Sequence, residues 1–177
     1  MDDLSSIERR ASRIKLLLMD CDGVLTDGRL WLTEAGDEQK SFNTKDGLGL
    51  SLLHRAGLQS GIISGRNSSA VNRRAQELGI AFVRQGDPDK IAAFEQILQQ
   101  AAVDENQVAF VGDDLNDIPL MHRAELAVAV ADAAGETLSA AHYVTQAKGG
   151  QGALREVVEL ILKSQGRWSD LIEDYLK

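Results

Sequence analysis

Short apolar runs that stop abruptly on polar residues recur along this chain, separated by stretches with helical spacing. The first, residues 14–19, ends at Asp20, as a strand buried on both faces would. Residues 29–33 and 38–42 flank Glu34-Ala35-Gly36-Asp37 and predict a β-hairpin. Leu48, Leu52 and Leu53 keep helical spacing up to Gly57, a C-cap candidate. Residues 60–63 predict a second buried strand, 68–78 a helix closed by Gly79, and 80–83 a third strand. Asp87-Pro88 has the form of a helix start, with Asp as N-cap and Pro in the first turn. Ile91, Phe94, Ile97, Leu98 and Ala101 then follow the helical period. Residues 108–111 and 126–130 predict a fourth and fifth strand, and 143–145 a sixth. Residues 151–162 read as an amphipathic helix and 168–176 as a shorter one, while 1–12 read as a frayed helix or tail.

Strands alternating with helices predict an α/β protein: a three-layer, Rossmann-like parallel sheet with helices on both faces. In such folds a ligand sits beyond the carboxyl ends of the strands, which is where the polar motifs fall. A length of 177 residues fits one domain over 1–177, with a flap at about 28–42 and a C-terminal helix and tail at about 151–177.

Composition narrows the partners. A net charge of -8 argues against a general affinity for nucleic acid or anionic membrane. No apolar run approaches the roughly 20 residues of a membrane span. The polar start MDDLSSIERR does not have the form of a secretory signal. The single cysteine, Cys21, excludes an internal disulfide and a multi-cysteine zinc site. Together these predict a soluble cytoplasmic protein.

Four motifs carry chemistry. Asp20-Cys21-Asp22-Gly23 places two carboxylates at a strand end. One can attack phosphorus and the other can exchange a proton with the leaving oxygen and then with water. An acidic turn is the plain alternative. Gly112-Asp113-Asp114-Leu115-Asn116-Asp117 puts three acids at another strand end. They would repel one another without a cation, and magnesium suits such a set; helix capping is the alternative for Asp114. Ser64-Gly65-Arg66 can hold a phosphate oxygen at a helix start, or be an ordinary turn. Lys90 opposes a helix dipole unless it faces the acidic cluster, and is otherwise a solvated surface lysine.

The order of these motifs resembles the haloacid dehalogenase superfamily, from about Ile14 to Val130. The resemblance implies Asp20 as nucleophile, Asp22 as acid/base, Ser64 and Lys90 on the phosphate, and Mg2+ on Asp20, the Asp22 carbonyl and Asp113. The stretch between Asp22 and Ser64 has room for a hairpin and one helix, so no separate cap domain fits, and the apolar Leu30, Trp31 and Leu32 make the hairpin a candidate assembly surface, with packing on its own domain as the alternative. A closer resemblance is to the 3-deoxy-D-manno-octulosonate 8-phosphate phosphatases, which are capless, hairpin-bearing and tetrameric. It is carried by Asp20–Gly28, by Phe42-Asn43-Thr44-Lys45-Asp46-Gly47, by Ser64-Gly65-Arg66, by Gln85-Gly86 before Lys90, by Gly112-Asp113-Asp114, and by Gly149-Gly150-Gln151-Gly152-Ala153-Leu154-Arg155-Glu156.

That resemblance implies substrate contacts from Asp22, Asn43, Thr44, Lys45, Asp46, Gly47, Arg66, Arg74 and Lys90, a homotetramer, and a tail that reaches a neighbouring site. Lys45, Arg66 and Arg74 are candidate partners for a substrate carboxylate. Ser51 stands where the family usually has Arg, and Cys21 where an apolar residue often sits. The substrate implied is a small phosphorylated sugar acid, 3-deoxy-D-manno-octulosonate 8-phosphate, with nine-carbon sialic-type acid 9-phosphates as the alternative. A receiver domain phosphorylated on Asp, or a silent module, would share some of these residue types. Asp22 argues against the receiver, because a stable phospho-aspartate is not served by a neighbouring acid/base. His54, His122 and His142 match no metal spacing.

Overall fold

The computed structural model describes residues 4–34, 38–86 and 89–177. Its centre is a six-stranded, wholly parallel sheet in the order β5-β4-β1-β6-β7-β8. The strands are β1 (Leu16–Met19), β4 (Gln59–Ser64), β5 (Phe82–Gln85), β6 (Val108–Gly112), β7 (Leu126–Ala129) and β8 (Tyr143–Val144). A separate antiparallel pair, β2 (Trp31–Leu32) and β3 (Glu38–Gln39), forms the flap. The longer helices are α1 (Leu4–Ala11), α2 (Thr44–Arg55), α3 (Ser69–Leu78), α4 (Lys90–Ala101) and α7 (Ala153–Ser164). Shorter ones are α5 (Ile118–Met121), α6 (Gly135–Ala140) and α8 (Trp168–Ile172).

Strand alternation divides the core in two. Leu17 and Met19 face one side, packing with residues of α2, α3 and α7 such as Leu53, Val71 and Ile161. Leu16 and Leu18 face the other, with Phe94, Ile97 and Leu120 of α4 and α5. Because β1 is central and covered on both faces, all four of its residues are buried, which is why it reads as an unbroken apolar run. Met19 aligns with Ile62 on one side and Val111 on the other. Asp20, Ser64 and Asp113 therefore emerge at one end of the sheet.

Several elements differ from expectation. β5 lies two residues later than 80–83. It is an edge strand, so Arg84 and Gln85 can extend it, while Ile80 is consumed in the turn from α3. The hairpin ladder is only two pairs long, Trp31 with Gln39 and Leu32 with Glu38. Most of its expected turn, Ala35-Gly36-Asp37, lies outside the described residues, as do Asp87 and Pro88. The N-cap of α4 is Asp89, whose carboxylate accepts from the N–H groups of Ile91 and Ala92 at 3.1 Å each. The residues from Trp168 onward split into α8 and a tight turn, Glu173–Tyr175. The N-terminal stretch is an ordered helix that buries Ile7 and Ala11. No helix of the described residues is long and apolar enough to cross a membrane.

Candidate active site

Asp20 is the first residue past β1. The chain then turns sharply, with the N–H groups of Val24, Leu25 and Thr26 all directed at the Cys21 carbonyl. This folds Asp22 back over the end of the sheet. Gly23 sits at φ +96° against Asp113, and a Cβ there would collide with that carboxylate. The two acidic motifs meet at this glycine.

Lys90 is the first residue of α4. A cation in that place opposes the helix dipole, and the compensation is visible. Its ammonium donates to Asp20 Oδ1 at 2.7 Å and to Asp117 Oδ1 at 2.8 Å, with the side chain 6% exposed. Asp117 is wholly buried, and its other oxygen accepts from the N–H groups of Asp113 at 3.0 Å and Asp114 at 3.4 Å. Asp114 itself accepts from Leu115 N–H at 2.7 Å, the capping role held open for it. Ser64 ends β4, 3% exposed, with its Oγ accepting from Arg66 N–H at 3.3 Å.

The electrostatics are strained in one direction. Burial pushes Asp20 up to about 6, with Asp117 adding to the rise and Lys90 opposing it. Burial likewise pushes Asp113 up to about 7, and Asp20, Asp117 and Asp114 add to it. Burial draws Lys90 down, but Asp20 and Asp117 outweigh it and the net shift is upward. Carboxylate oxygens of Asp20, Asp113 and Asp117 lie within 4.8 Å of one another. A hard divalent cation fits this all-oxygen set and would relieve its repulsion.

Asp20, Asp22, Ser64, Arg66, Asp113 and Asn116 line one small cavity of about 190 Å³, with Gly65 and Asp114. A larger one, of about 730 Å³, lies at the opposite end of the sheet beside Lys15, Gln59 and Arg167. Helix C-termini gather there, which accounts for its cations. The acidic motifs converge on the smaller cavity.

A second ionic group closes the cavity's outer side. Lys40, just past β3, pairs with both Asp22 and Glu38, and its side chain is 1% exposed. Arg66 donates to Glu38 at 3.3 Å and stands 3.9 Å from Asp22 Oδ2. A hydrogen bond from Lys40, helped by Arg66, holds the Glu38 carboxyl below its ordinary value against the pull of burial.

The sequence-derived positions thus separate. Asp20, Asp22, Ser64, Arg66, Lys90 and Asp113 come together. The Asn43–Gly47 segment and Arg74 stand apart from that group. Asn43 is the N-cap of α2, accepting from Lys45 N–H at 2.8 Å and donating to the Gly150 carbonyl at 3.2 Å. Asp46 is 1% exposed and turned into the start of α7, accepting from Arg155 N–H at 2.8 Å and Gly152 N–H at 3.3 Å. Gly47 is buried and leaves room for Arg74, whose guanidinium would meet any Cβ there. Arg74 lies 5.9 Å from the centre of the Phe42 ring and pairs with Glu77 at 3.3 Å. Thr44 and Lys45 are exposed on the first turn of α2. None of these six residues lines the small cavity.

In the sequence Asp117 stands only as one of three acids, and Lys40 and Glu38 carry no assigned role. Asp117 had a signal: it stands three residues after Asp114, a capping-box spacing, and Gly112 is needed because a Cβ there would press on it. Lys40 and Glu38 had none, since charges on a short hairpin normally face water.

A parallel sheet with a carboxylate leaving its central strand, a lysine-clamped second acid cluster and no cap insertion defines a haloacid dehalogenase-like hydrolase. The model of that family, described as haloacid dehalogenase-like hydrolase, matches residues 79–156. The 3-deoxy-D-manno-octulosonate 8-phosphate phosphatase KdsC of Yersinia pestis is 44% identical over 159 residues, covering 90% of this chain and 85% of that one. The solved structure of a probable yrbi family phosphatase from Pseudomonas syringae pv. phaseolica superposes with a TM-score of 0.96 at 44% identity, covering 98% of both chains. A 3-deoxy-D-manno-octulosonate 8-phosphate phosphatase from Moraxella catarrhalis, solved with magnesium, phosphate and KDO, gives 0.94 at 38% identity, covering 97% of this chain and 99% of that one. The chain belongs to the 3-deoxy-D-manno-octulosonate 8-phosphate phosphatase family of the haloacid dehalogenase-like hydrolases.

Proposed function

We infer that this protein is a magnesium-dependent phosphatase that hydrolyses 3-deoxy-D-manno-octulosonate 8-phosphate through a phosphorylated Asp20. The observation that carries the reading is the convergence of Asp20, Asp113 and Asp117 around Lys90 in a chain 44% identical to a phosphatase of that name. Asp20 attacks phosphorus while Asp22 delivers a proton to the departing sugar oxygen. Water then attacks the aspartyl-phosphate, and Asp22 takes the proton back. Ser64 and Lys90 hold phosphoryl oxygens, and Lys90 keeps Asp20 aimed. Mg2+, held by Asp20, the Asp22 carbonyl and Asp113, supplies charge to the phosphoryl group when bound. Arg66 is placed to receive the substrate's carboxylate.

Asp20→Ala is expected to abolish steady-state phosphate release, a loss of about 1,000-fold or more, while the chain stays folded. Full activity in that variant overturns the assignment. A panel of eight- and nine-carbon sugar-acid phosphates, with magnesium or with chelator, identifies the substrate.

The assembly is proposed as a homotetramer built on the flap, whose Leu30, Trp31 and Leu32 are 42%, 59% and 70% exposed. Sedimentation should give four chains per particle, and a fully active monomer would refute it. A reducing cytoplasm suits a chain with one cysteine, buried and unpaired.

A further inference from the structure

A lysine on a two-pair hairpin can extend into water at no electrostatic cost. Lys40 does the opposite. Its side chain is 1% exposed, and burying an ammonium is expensive unless its partners are well placed. Here they are two carboxylates from different elements, Asp22 on the catalytic turn and Glu38 on the flap itself. Glu38 and Lys40 are two residues apart in an extended segment, so both point to the same side, toward Asp22 and Arg66. Lys40 reaches Asp22 through Oδ1, while Oδ2 is the oxygen nearer Arg66. One carboxylate oxygen is tied to the flap and the other is left for a reacting group. Glu38 neutralises Lys40 within the flap, so the contact does not depend on Asp22 alone.

We propose that Lys40 is a positioning residue of this phosphatase, holding Asp22 Oδ1 so that Oδ2 meets the oxygen leaving phosphorus. The inference rests on the reading of Asp22 as acid/base. In the step concerned, a bond forms between an Asp20 oxygen and phosphorus, the bond from phosphorus to the sugar oxygen breaks, and the Asp22 proton goes to that oxygen. Lys40 exchanges nothing and touches no reacting atom. It fixes the rotation of the Asp22 carboxylate and ties it to the flap, where Glu38 pairs with both Lys40 and Arg66.

The test uses two kinds of leaving group. An alkyl oxygen needs a proton as it departs, whereas p-nitrophenolate leaves without one. Since kcat/KM reports steps through leaving-group departure, the alkyl-to-aryl ratio isolates the acid. Lys40→Met should lower kcat/KM for the sugar-acid 8-phosphate about 30-fold, mostly in kcat, and for p-nitrophenyl phosphate less than about 3-fold. Lys40→Arg should restore the alkyl ester to within about 5-fold of wild type. Glu38→Gln loosens the flap but leaves Lys40 on Asp22, so its ratio should stay within about 3-fold of wild type.

Equal losses on both substrates, or no loss, would overturn the proposal. So would a Glu38→Gln ratio as depressed as that of Lys40→Met, since flap closure alone would then be the cause. Wild-type turnover is measured first. A wild-type chain inert toward every phosphate ester would strike the function itself. One that rejects the sugar acid but cleaves a simple primary alkyl phosphate would strike only the substrate, and the ratio would be read on that ester instead.

Discussion

The turn from Asp20 to Asp22 is gripped from two sides by ionic groups of opposite construction. On the inner side, Asp20 and Asp117 meet the single ammonium of Lys90, with the Asp113 carboxylate beside them. These side chains hang on strand ends and on the first turn of a helix, elements fixed by the core. On the outer side, Asp22 and Glu38 meet Lys40 and Arg66, carried by a turn, a two-pair hairpin and a loop. The inner group, fully ionised, has three negative charges against one positive and is left with a deficit of two. The outer group is balanced, two against two. The deficit matches the charge of one divalent cation, whereas the outer group closes without help. The charge-deficient group is carried by the core, and the self-neutral group lies over it on the flap.

The comparison breaks most visibly at Lys90. Lys90→Met removes the one cation inside the inner group and leaves two buried carboxylates facing each other. Denaturant titration in chelator should show a loss of about 3 kcal/mol, and turnover should fall about 1,000-fold. Magnesium should restore much of the stability and little of the turnover, because it can supply charge but cannot take the place proposed for Lys90 on a phosphoryl oxygen. By contrast Arg66→Ala, in the half-exposed outer group, should move stability by less than about 1 kcal/mol. Equal effects would erase the distinction between the groups.

Next in size is the joint effect of metal and pH. Asp20 and Asp113 are raised to about 6 and about 7 in the folded chain, above the ordinary value of 3.8. The folded state therefore holds protons that the unfolded state has released. The sign follows: the contribution of these two groups to metal-free stability is greatest below the ordinary carboxylate value and declines as pH rises toward about 7. Magnesium must displace those protons, so its affinity rises over the same range. At 100 times its Kd it should stabilise the fold by about 2.7 kcal/mol. Thermal melts with magnesium or chelator should diverge more at pH 7.5 than at pH 5.5. A gap independent of pH would mean that the metal does not bind these carboxylates.

The inner group was legible in the sequence and the outer one was not, for a physical reason. Asp20, Ser64 and Asp113 each follow or end an apolar strand, and a parallel sheet delivers its strand ends to one place. Linear order therefore translates into proximity. Lys40 meets Asp22 only because of how a hairpin folds over, and no period in the chain records that. The Asn43–Gly47 segment poses the opposite difficulty. The family resemblance carries it as a unit, yet Asn43 and Asp46 are committed to the starts of α2 and α7. A polar residue that caps a helix looks the same in sequence as one that binds substrate. Helices α5 and α6, with 4 and 6 residues, are too short to show a helical period. The start of α4 was misplaced because Asp87 and Asp89 are equally good caps on paper.

Asp46 offers the smallest and most discriminating effect. Its buried carboxylate is raised by desolvation, with backbone N–H groups of Arg155, Gly152 and Leu154 drawing it back. It joins α2 to the loop that leads into α7, and Asn43 reinforces the join through Gly150. That loop passes beneath the catalytic turn: Gly150 N–H donates to the Val24 carbonyl at 2.9 Å, and Gly149 is packed against Gly23. Asp46→Ala should therefore cost about 1–2 kcal/mol by leaving helix-start donors unmet. If Asp46 touches only the scaffold, kcat and KM should fall or rise less than about 3-fold at a temperature where the variant is folded. If instead it binds substrate, KM should rise much further with little change in the melt. The ratio of those two responses decides whether this acid belongs to the frame alone or also to the pocket, since its hydrogen bonds here run to the start of α7.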